Sequence, residues 1–221
     1  MGHSARANGD SLTRSPQPAA FRISFIRCWK EDHAAQIVEF AVALPLLMVF
    51  VVGIFDFSSA FTLRQKLTNI ARDAARAAAS DPGGDIVAPS TAIPASVNDA
   101  YQLIVNYLQV NKINTCGIGV GSAIMGPSLT NYTFTGTSNC PLGGLIIDIN
   151  RGYYFPQNSI VLPTLTCGGQ TPVNGVVTVI GTCVSIQYAY QWRFGRVASL
   201  LGSNTTLPTS ITATAVAINE N

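Results

Sequence analysis

The sequence predicts an α+β protein. A long N-terminal helix starts in a membrane and continues into an extracytoplasmic domain built from a second helix and an antiparallel sheet. Three observations carry this reading. No charged residue occurs from Phe40 to Phe55. Beyond Asp56, apolar residues recur at Ala60, Leu63, Leu67, Ile70, Ala74 and Ala78, steps of three and four that fall on one helical face. After Pro82, charges become scarce, and glycine-punctuated runs rich in β-branched residues take over.

Composition sets the class. Only 11% of the 221 residues are charged, less than half of the roughly 25% usual for a soluble domain. This shortage fits a membrane-linked or extracellular chain. The net charge of +2 is too small to imply nucleic acid as a partner, and no long basic run occurs.

Residues 1–34 read as a basic cytoplasmic tail or leader. They contain "SPQP" and a basic, aromatic patch, "FRISFIRCW" at 21–29, suited to anionic headgroups. The following segment, 35–80, reads as one long helix with a membrane span at about 37–58. Its uncharged centre alone rises about 24 Å at 1.5 Å per residue, and the flanking residues extend it across a hydrocarbon slab about 30 Å thick. Glu39 and Asp56 then fall near the two faces of the slab, where a carboxylate reaches water or headgroups. Pro45 removes one helical hydrogen bond and is expected to bend the helix. "SSA" at 58–60 has the small residues of a signal-peptide cleavage site. The apolar run is too long for such a peptide and the helical pattern continues past the site, so the segment reads as an anchor.

Orientation follows from charge and cysteine. Arg6, Arg14, Arg22, Arg27 and Lys30 precede the span and favour a cytoplasmic N-terminus. Cys116, Cys140, Cys167 and Cys183 all follow it and suggest two disulfides in an oxidising compartment. Four cysteines allow three connectivities. Cys116–Cys140 and Cys167–Cys183 are favoured because each closes a short loop. A metal site is not indicated, since there is no CxxC and no histidine beyond His33.

"IARDAARAAAS" at 70–80 has high helix propensity, and "SDPGGD" at 80–85 breaks the helix. Residues 81–96 form a linker, and 97–221 the α+β domain. "PASVNDAYQLIVNYLQVNK" at 94–112 has helical spacing at Ala100, Leu103, Ile104, Tyr107 and Leu108, with Ser96 as the expected cap. Strands are expected in "NYTFTG", "GLIIDIN", "SIVLPTL", "GVVTVIGTCVSIQYAYQW" and "TSITATAVAI". The aromatic groups Tyr153, Tyr154, Phe155 and Tyr188, Tyr190, Trp192 read as sheet core in preference to an adhesive patch. Asp81, Asp85 and Asp99 read as capping and solvated acids in preference to a calcium site. Serine or cysteine catalysis with histidine is not indicated, nor is a phosphate-binding loop. No enzymatic activity and no cofactor are expected.

The motifs "VEFAVALPLL" at 38–47, "GIFDF" at 53–57 and "LTNIARDAARAAA" at 67–79 resemble the TadE-like family of tight-adherence (Tad, type IVc) pilus proteins. "VSIQYAYQWRF" and "LPTSITATAVAINEN" are similar to the family's closing strands. The resemblance implies a pilin-like fold and a minor pilin or pseudopilin, held in the bacterial inner membrane with its C-terminal domain outside the cytoplasm. The partners it implies are other pilin-like subunits, the inner-membrane assembly platform and the lipid bilayer. It further implies a prepilin peptidase cut between Ala34 and Ala35, with alanine standing where such peptidases prefer glycine. Glu39 would then be the fifth mature residue and would set subunit register against a neighbour's N-terminal amine, and Pro45 would loosen the helix locally. The alternative is a membrane-anchored binding or adhesin domain that never enters a filament.

Overall fold

A computed structural model describes residues 32–82, 93–125, 130–141, 143–155, 167, 179–193 and 207–220. The tail before Asp32, most of the 81–96 linker with Asp85, and the "SIVLPTL" run lie outside these residues.

The first helix, α1, spans Asp32–Ser80 and carries Pro45 inside it. The chain divides into two compact units, residues 1–46 and 47–221. In the first unit, every described helical side chain from Ala35 to Leu46 is exposed. The second unit contains the rest of α1, a second helix and the sheet.

Within that unit α1 buries a narrow stripe. Leu67, Ile70, Ala71, Ala74, Ala75 and Ala78 are all buried, with Leu63 packed against the same core. Arg64, Gln65, Asn69, Arg72, Asp73 and Arg76 are exposed on the other side. The expected amphipathic face is therefore the observed one. Its buried positions are mostly alanine, and Leu67 and Ile70 supply most of the volume it contributes to the core shared with α2 and the sheet.

Helix α2, Ala95–Val110, buries Val97, Ala100, Tyr101, Ile104 and Leu108. Its cap differs from expectation. Pro94 takes the N-cap position, with no side-chain cap bond, and Ser96 is buried in the first turn. Proline reaches the start of a helix at little cost because its missing N–H would have had no partner there. The helix thus begins one residue before a serine could cap it.

Five strands follow: β1 (Ala123–Met125), β2 (Asn131–Gly136), β3 (Leu145–Phe155), β4 (Val179–Ala189) and β5 (Ser210–Ile218). They form one antiparallel sheet in sequence order. The register builds apolar rows across it. Phe134 lies opposite Ile147, Ile147 opposite Ile186, and Ile186 opposite Ala213. The next row joins Tyr132, Ile149, Val184 and Ala215. Both rows belong to the core shared with α1 and α2, where Tyr101 stacks on Phe134 with ring centroids 4.3 Å apart. The adjacent row, Thr133, Asp148, Ser185 and Thr214, is polar and points to the other face, since strand side chains alternate. There Thr133 donates to Asp148 Oδ1 at 2.6 Å.

The disulfides Cys116–Cys140 and Cys167–Cys183 both form, with Cα atoms 5.3 and 5.6 Å apart. The first ties the segment after α2 to the β2–β3 turn. In that turn Gly144 adopts φ +58°, and a Cβ there would run into the Gly136 carbonyl, so only glycine fits. The second disulfide packs with Tyr153 on the far face of the sheet.

A bulge in β3 between Asn150 and Tyr153 re-aims Arg151. Arg151 is buried and donates Nη2–H to the Asp81 carbonyl at 2.8 Å, just past the end of α1. The Glu220 N–H donates to the Ala79 carbonyl at 3.1 Å. A cation and an N–H thus meet the carbonyl end of α1, where the helix dipole favours them.

Candidate functional site

The residues singled out in the sequence fall along α1. Ala35 and Glu39 are exposed, and Pro45 is accommodated without ending the helix. Large apolar side chains stay on the surface in every direction around the axis: Ile37 is 71% exposed, and Leu46, Met48, Phe50, Ile54 and Phe55 are likewise exposed. Residues Ala35–Ser80 form a helix long and apolar enough to cross a membrane, and its most apolar stretch is only 6% buried. A helix apolar on all sides and uncovered by its own chain needs lipid or other helices around it.

The picture changes at Asp56. The sequence places this carboxylate at a membrane face, reaching water or headgroups. The side chain is instead only 4% exposed. Tyr190, just past the end of β4, donates its hydroxyl to Asp56 Oδ1 at 3.0 Å, and the same oxygen lies 3.2 Å from the Asp56 carbonyl. Burial, together with the neighbouring carboxylate, pushes the Tyr190 hydroxyl up to about 12, with Arg193 opposing. The phenol stays a donor throughout the physiological range.

One residue on, Phe57 meets Trp192 with ring centroids 5.1 Å apart. Trp192 also sits edge-on to Tyr190 at 5.0 Å and donates its indole N–H to the Pro208 carbonyl at 2.6 Å. The two aromatics after β4 therefore grip the point where α1 changes from all-apolar to amphipathic. Sequence reasoning missed this grip. The signal was the run "YAYQW" at 188–192, but nothing in it names a partner 134 positions away.

Beside the grip lies a groove of about 550 Å³, lined mainly by Phe57, Phe61 and Arg64 of α1, by Trp192 and Pro208, and by Ile211 of β5. Among the described residues no carboxylate lines it, and no cluster of three or more histidine, cysteine or acidic side chains is placed to hold a metal ion.

The predicted site residues are thus brought together only in part. The four cysteines pair as favoured, and Asp56 gains Tyr190. Ala34, Ala35, Glu39 and Pro45 stay as separate points along one helix. Comparison with curated proteins gave no match, and neither did comparison with solved structures. Residues 34–76 match the family model described as TadE-like protein, so the α1 segment that carries the apolar run, Glu39, Pro45 and Asp56 is TadE-like, as its motifs suggested.

Proposed function

We propose that the chain is a non-enzymatic pilin-like subunit, a minor pilin or pseudopilin, acting in assembly of a Tad-type pilus through helix–helix packing. The observation that carries this reading is the surface of α1. Within its TadE-like segment apolar side chains are exposed on all sides from Ile37 to Met48 and on most of the surface up to Phe57, while the stripe beyond Ala60 is buried in a folded domain. Such a helix is held by lipid before assembly and by neighbouring helices after it.

The chain sits in the bacterial inner membrane with a span at about 37–58, its N-terminus cytoplasmic and its disulfide-bonded domain outside. Cleavage between Ala34 and Ala35 would leave a new amine four residues before Glu39. A carboxylate on the adjacent subunit would neutralise that amine in a low-dielectric layer, and the attraction would set axial register. Pro45 gives this stretch its local freedom to adjust.

Exchange of Glu39 for lysine tests the reading. The expected result is normal membrane insertion with loss of piliation. Undiminished pili carrying stable Glu39→Lys protein would overturn the register role and favour an anchored domain that works outside a filament.

A further inference from the structure

We infer that the groove between α1 and the Trp192 segment is a binding site for an anionic phospholipid of the leaflet on the domain's side of the membrane. The inference rests on the reading of residues 37–58 as the span.

Position supports it first. Phe57 and Phe61 follow directly on the apolar run, and the Phe57–Trp192 contact fixes the indole at the same level. The headgroup layer adds about 5–7 Å beyond the hydrocarbon on each side. Phe57 to Phe61 rises about 6 Å along a helix, so the aromatic walls lie within that layer. Tryptophan and other amphipathic rings concentrate at this depth. Trp192 has its indole N–H satisfied by Pro208 and leaves its apolar face to the groove.

Charge supports it second. Arg64 is the groove's one ionic group among the described residues, and no described carboxylate shares the groove with it. It stands about 10 Å above Phe57 along the axis, near the outer limit of the headgroups. A long arginine stem can follow the apolar wall downward while its guanidinium grips a phosphate bidentately. Asp56, one residue before Phe57, does not line the groove and accepts from the Tyr190 hydroxyl.

The chain contains two tryptophans, Trp29 and Trp192, so a Trp29→Phe protein reports from the groove alone. Full-length Trp29→Phe protein is reconstituted into phosphatidylcholine vesicles, with and without phosphatidylglycerol, carrying lipids brominated either near the glycerol or deep in the chain. Flotation with the vesicles reports the span independently of the groove. The expected result is flotation and stronger quenching of Trp192 by the shallow bromine. Native mass spectrometry should show phosphatidylglycerol retained in preference to phosphatidylcholine, and this preference should fall about fivefold in Arg64→Gln protein, the factor one basic side chain contributes at an anionic surface. Flotation without quenching would overturn the site and leave the span standing. Quenching that ignores both phosphatidylglycerol and Arg64→Gln would also overturn it. So would efficient disulfide crosslinking between copies through Phe61→Cys, which would give the groove to a second copy of the chain. Failure to float would remove the span and the lipid site together.

Discussion

The two halves of α1 belong to one helix and meet opposite fates. From Ile37 to Met48 every side chain points outward, and from Phe50 to Phe57 the large ones still do, with Gly53 and Asp56 buried along one face and Phe57 53% exposed. From Ala60 to Ala79 the buried positions are mostly alanine, with Leu67 and Ile70 between them. Size alone would put these the other way round, with the bulky residues in a core and the small ones outside. The difference teaches that each half is matched to its surroundings. Bulky apolar side chains suit lipid and neighbouring helices. A small-residue stripe adds little volume to a core already filled by Phe134, Ile147, Ile149 and Ile186.

The contrast can be broken most strongly in the second half. Leu67 is wholly buried, and Leu67→Ala should cost about 2–5 kcal/mol, read as a fall in the domain's unfolding midpoint in detergent. Leu47→Ala, the same change at a position 60% exposed, should stay within about 0.5 kcal/mol. Equal losses at both sites would erase the distinction between the halves.

Next in size is the joint between them. Tyr190→Phe removes the hydroxyl that reaches Asp56. A hydrogen bond to a charged acceptor contributes about 1.5–3 kcal/mol, and the loss should appear as faster proteolysis near Asp56 with little change at the disulfides.

The smallest effect is in pH. Tyr190 titrates higher in the folded protein, at about 12, than its ordinary value of 10.0. A raised acid contributes stability in full below the ordinary value and loses it as pH climbs toward the folded one. Unfolding should therefore become easier between about pH 10 and 12. Tyr101 and Tyr188 are also raised by burial, so the part due to Tyr190 is the difference from Tyr190→Phe protein. A profile identical in that variant would remove Tyr190 from the account.

Much of this was readable in the sequence because its signals are local. The alanine and leucine spacing of residues 60–78 marked the buried stripe, the uncharged run marked the exposed half, and β-branched alternating runs marked β4 and β5. Other features depend on distant partners. β1 is three residues long, too short for a period. β3 runs on from "LIIDIN" through "RGYYF" because its bulge absorbs Arg151 and Gly152, and Asn150 Oδ1 accepts the Gly152 N–H at 2.9 Å to hold it. The Ser96 cap was displaced by a proline two residues earlier. Asp56 looked like a membrane-facing acid because its tyrosine partner comes from the other end of the chain.

The central claim is that α1 is one helix, lipid-facing in its first half and packed on the sheet in its second. A nitroxide scan through residues 42–78 of the full-length protein in vesicles tests it most directly, using collisions with oxygen and with a water-soluble nickel chelate. The account predicts high oxygen and low nickel accessibility through Phe55, except at Gly53, which is buried. Beyond Ala60 it predicts a helical alternation, with Arg64, Asn69 and Arg72 open to nickel and Leu67, Ala71 and Ala74 closed to both. Nickel accessibility throughout 42–55, or the absence of a helical period beyond Ala60, would contradict it.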